Sequence, residues 1–171
     1  MSSGAKPGDQ ARVTVGVALP PAEAWRIFTT EIDLWWRRGR RFRNAPGDRG
    51  LVALEPRVGG RVFETFATDG GEQVVEIGRI HEWQPPERLR FDWRAANFAP
   101  HEWTEVEVSF EATPSGTRVT VLHRGWGAIR PDHPVRHGLE PAAFLRMMGL
   151  WWGDQLTSLR QRAAGSRPPV A

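Results

Sequence analysis

Five histidines, His81, His101, His123, His133 and His137, are the side chains in this chain best suited to moving protons or holding a metal. None belongs to an HExxH pair, in which two imidazoles one helical turn apart face a common ion. His133 and His137 have that four-residue spacing, but proline and arginine surround them in a stretch that reads as loop. With no cysteine anywhere and no third evident ligand, no metal site is expected. His123 continues the apolar face of Val119 and Val121, so it should point inward. There it either faces a cavity or is held by hydrogen bonds, and the second fits the rule that buried polar groups are paired. Glu64, Glu76, Glu82, Glu102, Glu105 and Glu107 supply carboxylates, any of which would be tuned toward general-base work if buried among apolar groups. Alternation puts Glu105 and Glu107 on a polar face instead. A nucleophile elbow, a P-loop and a Gly-x-Gly-x-x-Gly loop are all absent, so the sequence assigns no catalytic residue and no cofactor.

A second set of residues suits binding better than catalysis. Trp35, Trp36, Phe63, Trp83, Phe91, Trp93, Trp126, Phe144 and Trp152, with Met147 and Met148, form a candidate lining for an apolar cavity, and His123 stands beside it. Apolar pockets bind through buried area, at roughly 25 cal/mol per Å², and Trp and Met offer broad, adaptable surface for that purpose. Any one of these residues also fits ordinary core packing. Nine Trp, however, exceed what a core of this size requires. The run Trp36-Arg37-Arg38-Gly39-Arg40-Arg41-Phe42-Arg43 is the densest charge block. It reads as a solvated loop, or as an anion-attracting rim at a cavity mouth, since guanidinium pairs bidentately with carboxylate or phosphate.

Composition narrows the classes. At 171 residues, 40% hydrophobic and 25% charged, the chain has the make-up of one globular domain with room for a core. The isoelectric point of 10.7 looks like that of a nucleic-acid binder, yet the net charge is only +3. Lys6 is the sole lysine and there is no Tyr, so little titrates between histidine and arginine and a small excess carries the value upward. Nucleic acid is therefore not an expected partner. No apolar run is long enough to span a bilayer, and the polar start, Met1 to Gly8, lacks the apolar stretch of a signal peptide, so membrane insertion is not expected and a cytoplasmic location is.

The elements that must position these residues follow from periodicity. Val13, Val15 and Val17 alternate as a strand, and Pro20-Pro21 ends it. Ala22, Ala24, Trp25, Ile27 and Phe28 make an apolar stripe for a short helix to about Thr29. Thr30 with Asp33 predicts a capping box for a second short helix through Ile32, Trp35 and Trp36. Strands follow over Leu51 to Glu55, Arg61 to Ala67, Val74 to Trp83, Leu89 to Trp93, Trp103 to Ala112, and one through Val119 to His123, with Asp69-Gly70-Gly71 and Pro114-Ser115-Gly116 as turns. Leu145, Met148, Trp152, Leu156, Leu159 and Ala163 recur at three- and four-residue steps after Glu140-Pro141, predicting a long amphipathic helix. Gly149 and Gly153 inside it suggest a notch, for close approach to the sheet or for space beside it. The expected organisation is a tail over 1–11, one domain over 12–163 and a tail over 164–171, both tails flexible.

Several ordered motifs give this pattern a family likeness. They are Pro21-Ala22-Glu23-Ala24-Trp25, Trp35-Trp36, Val58-Gly59-Gly60-Arg61, Gly78-Arg79-Ile80, Pro85-Pro86-Glu87-Arg88-Leu89 with Phe91-Asp92-Trp93, and Gly116-Thr117-Arg118-Val119-Thr120-Val121 running to His123-Arg124-Gly125-Trp126. Together they resemble the START-like superfamily of helix-grip proteins (SRPBCC), and within it the bacterial stand-alone members of the family related to the activator of the Hsp90 ATPase. The resemblance implies an α+β fold: a curved seven-stranded antiparallel sheet gripping a long C-terminal helix, two short helices after the first strand, and a hydrophobic cavity between helix and sheet in many relatives. It implies no single activity, because the superfamily includes lipid carriers, polyketide cyclases and co-chaperones. No counterpart of the separate N-terminal domain of the eukaryotic Hsp90 activators is expected, and with it no Hsp90-like partner; a homodimer is compatible with the sequence.

The reading these observations favour is a binder of a small hydrophobic, conceivably anionic, molecule between the last helix and the sheet, gated by the short helices and the arginine loop. A cyclase- or dehydratase-like enzyme acting on an aromatic or polyketide-type substrate, with His123 or a buried glutamate as proton carrier, is the first alternative. A co-chaperone-like interaction module is the second.

Overall fold

Seven strands form one antiparallel sheet in the computed structural model, which describes residues 9–47 and 49–166. The tails expected at 1–11 and 164–171 lie largely outside the described residues. In chain order the elements are β1 (Ala11–Val17), α1 (Pro21–Thr30), α2 (Ile32–Trp35), β2 (Leu51–Leu54), β3 (Arg61–Thr68), β4 (Gly71–Gln84), β5 (Arg88–Trp93), β6 (Thr104–Thr113), β7 (Gly116–Arg124) and α3 (Pro141–Gly165). Short 3-10 turns at Trp126–Ala128 and Pro134–Arg136 join β7 to α3. The strand order is β1-β7-β6-β5-β4-β3-β2, so every neighbour from β2 to β7 is sequential and β1 closes the far edge against β7. This is the expected helix-grip arrangement.

Alternation sets the two faces of the sheet. Thr104, Val106, Val108 and Phe110 of β6, with Val119, Val121 and His123 of β7, turn to the core and are buried. Glu105, Glu107 and their neighbours turn outward, where Glu82, Glu105 and Glu107 interleave with Arg88, Arg90 and Arg124 in one ion-pair ladder. Inside, α1 presents Trp25 and Phe28 to Phe110 with ring centroids 5.1 and 5.6 Å apart, and Trp83 packs on Trp25 at 5.0 Å. The last helix lays Phe144, Met148, Trp152, Leu156, Leu159 and Ala163 on the sheet. Burying each large side chain of this kind is worth about 2 kcal/mol relative to exposure, which is why the helix docks where it does.

Tight backbone contacts fix the sheet's curvature at one point in particular. A β-carbon at Gly78 would lie 1.5 Å from the Asp92 carbonyl oxygen, and the β4–β5 register shifts nearby, between Ile80 and Glu82. Only glycine lets the two strands pass that close.

Four local expectations change. The Thr30–Asp33 capping box does not form: the N-cap of α2 is Glu31, with no side-chain cap, and Asp33 instead accepts from the Val52 amide at 2.9 Å and from Arg43 at 2.6 Å. A tertiary salt bridge has taken the carboxylate from the helix start. Ala22 is exposed, so the buried stripe of α1 begins at Ala24. Phe144 occupies the core position that periodicity gave to Leu145, which is only half-buried. Gly149 and Gly153 do not mark a close approach, because a β-carbon at either would meet nothing within 4 Å.

Candidate functional site

The arginine-rich segment between α2 and β2 is folded by its own charges. Arg43 is buried, and its guanidinium donates to the carbonyls of Arg37, Gly50, Asp33 and Trp36 as well as to the Asp33 carboxylate. Glu64 of β3, 1% exposed, accepts from the Asn44 and Ala45 amides at 2.8 and 2.9 Å. Both of its oxygens are engaged by the loop, so this carboxylate is a tether and is not poised as a base. From the other side α3 clasps the loop: the Trp151 indole donates to the Arg41 carbonyl (2.8 Å), Arg41 pairs with Asp154 (2.8 Å), and the Gln155 carbonyl oxygen accepts from the Arg37 amide (2.8 Å). What reads in sequence as a solvated charge run is a loop anchored to helix and sheet.

That anchoring leaves a cleft of about 520 Å³. Its apolar surfaces come from Trp36 and Phe42 of the loop region, Ile77 of β4, Trp93 of β5, Trp126 after β7, and Met147, Met148 and Trp151 of α3. Trp36 and Trp93 stack with centroids 6.2 Å apart, and Trp151 meets both edge-on, at 5.8 and 5.5 Å. Such a wall of large, flat side chains offers much contact area with few rotatable bonds. Arg40, Arg41, Arg43, Arg94 and His137 also border the cleft.

Of the residues expected to line a cavity, the fold brings Trp36, Trp93, Trp126, Met147 and Met148 together in this cleft. The remainder are placed elsewhere. Trp35 is 1% exposed, packs on Phe28 at 4.9 Å and donates its indole N–H to the Phe28 carbonyl. Trp83 belongs to the cluster at the α1 end of the sheet. Phe63 stands on the opposite face from Val62 and Glu64, under the Arg61 guanidinium at 4.6 Å. Phe91 and Phe144 are buried in the core, Phe144 against Trp126 at 4.7 Å. Trp152 is likewise packed, so the hollow lies under the first half of α3, and from Trp152 through Leu159 the space is filled by side chains.

His123 is a structural residue behind the cleft wall. It has no exposed surface; its Nδ1 accepts from the Trp152 indole at 3.1 Å, and its Nε2 lies 2.7 Å from the Thr104 hydroxyl. An N–H donor on Nδ1 requires the neutral tautomer protonated on Nε2, with Thr104 accepting there and its own hydroxyl directed at the Trp93 carbonyl, 3.4 Å away. Burial lowers the imidazole from its ordinary 6.5 to about 3. The chain Trp152–His123–Thr104–Trp93 thus ties α3 through β7 and β6 to the backbone of the cleft-lining Trp93. His133, the N-cap of the second 3-10 turn, is likewise tied, accepting from the Val135 amide and contacting Glu102 at 3.2 Å. Among the described residues no three His, Asp or Glu side chains gather as metal ligands.

Trp151 and Ile77, with Asn44, Arg94 to Ala96, Val135 and His137, are lining residues that sequence reasoning did not assign to a cavity. Trp151 carried a usable signal: it lies four residues after Met147, so it shares a helix face with a residue already singled out.

The comparisons agree with this architecture. A sequence model of the family described as "Activator of Hsp90 ATPase homolog 1-like protein" matches residues 18–162. Among solved structures, protein MLL2253 from Mesorhizobium loti superposes with a TM-score of 0.62 at 19% identity, over 93% of this chain and 99% of that one. SA2116 from Staphylococcus aureus gives 0.65 at 12% identity, over 92% and 94%. DynU16, from the dynemicin biosynthetic locus, gives 0.61 at 18% identity, over 94% of this chain and 49% of that one. No curated protein matches. Among the described residues no helix is long and apolar enough to cross a membrane. With the helix-grip fold in place and the family pattern running from Ala18 to Arg162, the chain belongs to the Activator of Hsp90 ATPase homolog 1-like family, within the START-like superfamily.

Proposed function

We propose that this protein binds a small hydrophobic molecule in the cleft between the first half of α3 and the arginine loop. The observation that carries the reading is the aromatic wall: Trp36, Trp93, Trp126 and Trp151, with Met147 and Met148, border a space of about 520 Å³ that is left unfilled next to a densely packed core. Hydrophobic cavities between helix and sheet in many START-like proteins support it. The loop clasp built from the Arg41–Asp154, Trp151–Arg41 and Gln155–Arg37 contacts is the gate, since releasing these three polar contacts would widen the cleft without disturbing the sheet.

The catalytic alternative loses its proton carriers. His123 is sealed, neutral and engaged at both nitrogens, and Glu64 is saturated by the loop it holds. Binding without turnover is therefore the reading the geometry favours.

The test uses the neutral dye N-phenyl-1-naphthylamine and a panel of aromatic compounds and fatty acids, followed by tryptophan fluorescence and native mass spectrometry. Saturable 1:1 binding that quenches tryptophan emission is expected. A panel silent in both measurements would overturn the proposal.

A further inference from the structure

We propose that the molecule this cleft selects is a hydrophobic carboxylic acid, with its ring or chain on the tryptophan wall and its carboxylate at the arginine rim. The inference rests on the cleft being the binding site and adds the charge of the ligand. It comes from an imbalance in the lining: among the described residues, five cationic or titratable basic side chains border the cleft and no Asp or Glu does. Two of the five are neutralised from outside it, Arg41 by Asp154 and Arg43 by Asp33. Arg40 and Arg94 are not. Among the described residues Arg40 forms no ion pair, and Arg94 directs one terminal nitrogen to the carbonyls of Ala99 and Pro100 and meets no carboxylate.

A third uncompensated guanidinium lies behind the wall. Arg136, between the lining residues Val135 and His137, is 2% exposed. It donates to the carbonyls of Arg130, Trp126 and Ile129, sits 5.1 Å over Phe144, and meets no carboxylate among the described residues. Burial lowers its pKa, as expected of a cation without a counter-ion. One of its terminal nitrogens and the indole N–H of the lining Trp126 are buried donors left without acceptors. Positive potential with no internal anion, next to apolar walls that exclude water, favours an anionic ligand over its neutral isostere, because charge pairs strengthen as the local dielectric falls. A carboxylate also matches the planar fork of Arg40 or Arg94. The single-sign lining disfavours cationic and zwitterionic ligands for the same reason.

The matched probes are 2-naphthoate and 2-naphthamide, which share size and shape and differ in charge. Isothermal titration at low salt is expected to give at least ten-fold tighter binding of the acid, a preference that shrinks as salt rises. Arg40→Glu, at an exposed position without an ion pair among the described residues, and Arg94→Gln should each reduce the preference for acid over amide several-fold. Equal affinities for acid and amide in the native protein, or a preference that survives the Arg40→Glu, Arg94→Gln double variant when circular dichroism shows it folded, would overturn this proposal and leave the hydrophobic cleft standing. Failure of the neutral dye to bind the native protein strikes the cleft reading itself.

Discussion

His123 shows how a single side chain that looks catalytic in sequence becomes a structural one. Its neutral form is stabilised by the low-dielectric core and by the Trp152 N–H aimed at Nδ1, so a proton added there would sacrifice a buried hydrogen bond as well as desolvate a charge. The folded-state pKa is depressed, to about 3, while the unfolded chain titrates near 6.5. The unfolded state therefore takes up the proton first as pH falls. The stability this residue contributes is fully present above pH 6.5 and is lost progressively between 6.5 and 3, by about 1.4 kcal/mol per pH unit. Unfolding free energies from urea titrations at pH 6.5 and 5 should differ by about 2 kcal/mol from this group alone. His123→Gln should lower stability at neutral pH and remove that part of the slope; an unchanged slope in the variant would show that the imidazole is already charged in the fold.

At the scale of elements, α3 combines a well-packed face with two glycines that nothing demands. Periodicity located the helix, its proline start at Pro141 and most of its buried stripe. It left Gly149 and Gly153 open between close approach to the sheet and space beside the helix, because periodicity reports which face a residue takes and not how near the next surface lies; the structure excludes the close approach. With no atom within 4 Å of a β-carbon at either position, Gly149→Ala and Gly153→Ala should each stabilise the protein by about 0.5 to 1 kcal/mol, through helix propensity and reduced freedom of the unfolded chain. Thermal melts of the single and double variants check this, and a lowered melting temperature would mean that the helix or the adjoining loop shifts to use that space. The Asp33 error in α2 has a parallel origin: a four-residue helix offers little local energy, and Arg43, ten residues on, binds the carboxylate more strongly than a helix N-terminus would.

For the whole molecule, the cleft exists because separate segments stop short of one another around Ile77 of β4: the loop after α2, the end of β5, the connection after β7 and the first turns of α3. The sheet and α3 from Trp152 through Leu159 are packed together, which leaves the aromatic cleft to the first half of the helix. Ala96, exposed at the rim, lies far enough from the core to be enlarged without disturbing it. Ala96→Trp should weaken N-phenyl-1-naphthylamine binding at least ten-fold and leave the urea midpoint unchanged. Undiminished binding in that variant would place the dye elsewhere.

The amino-acid sequence by itself determined the strand and helix order, the inward faces of β1, β5, β6 and β7, the long closing helix and the family pattern, because alternation, amphipathic spacing and turn residues are local properties that survive without neighbours. It also marked Trp36, Trp93, Trp126 and Met148 for the cleft. Only the tertiary structure decided that Trp35, Trp83, Phe91, Phe144 and Trp152 fill space, that Phe63 faces outward beneath Arg61, and that His123 is held neutral. Whether an aromatic side chain lines a hollow or closes one depends on what arrives opposite it from distant parts of the chain. Here those arrivals are Arg43 reaching Asp33, Glu64 gripping Asn44 and Trp151 meeting Arg41, contacts that no local pattern encodes.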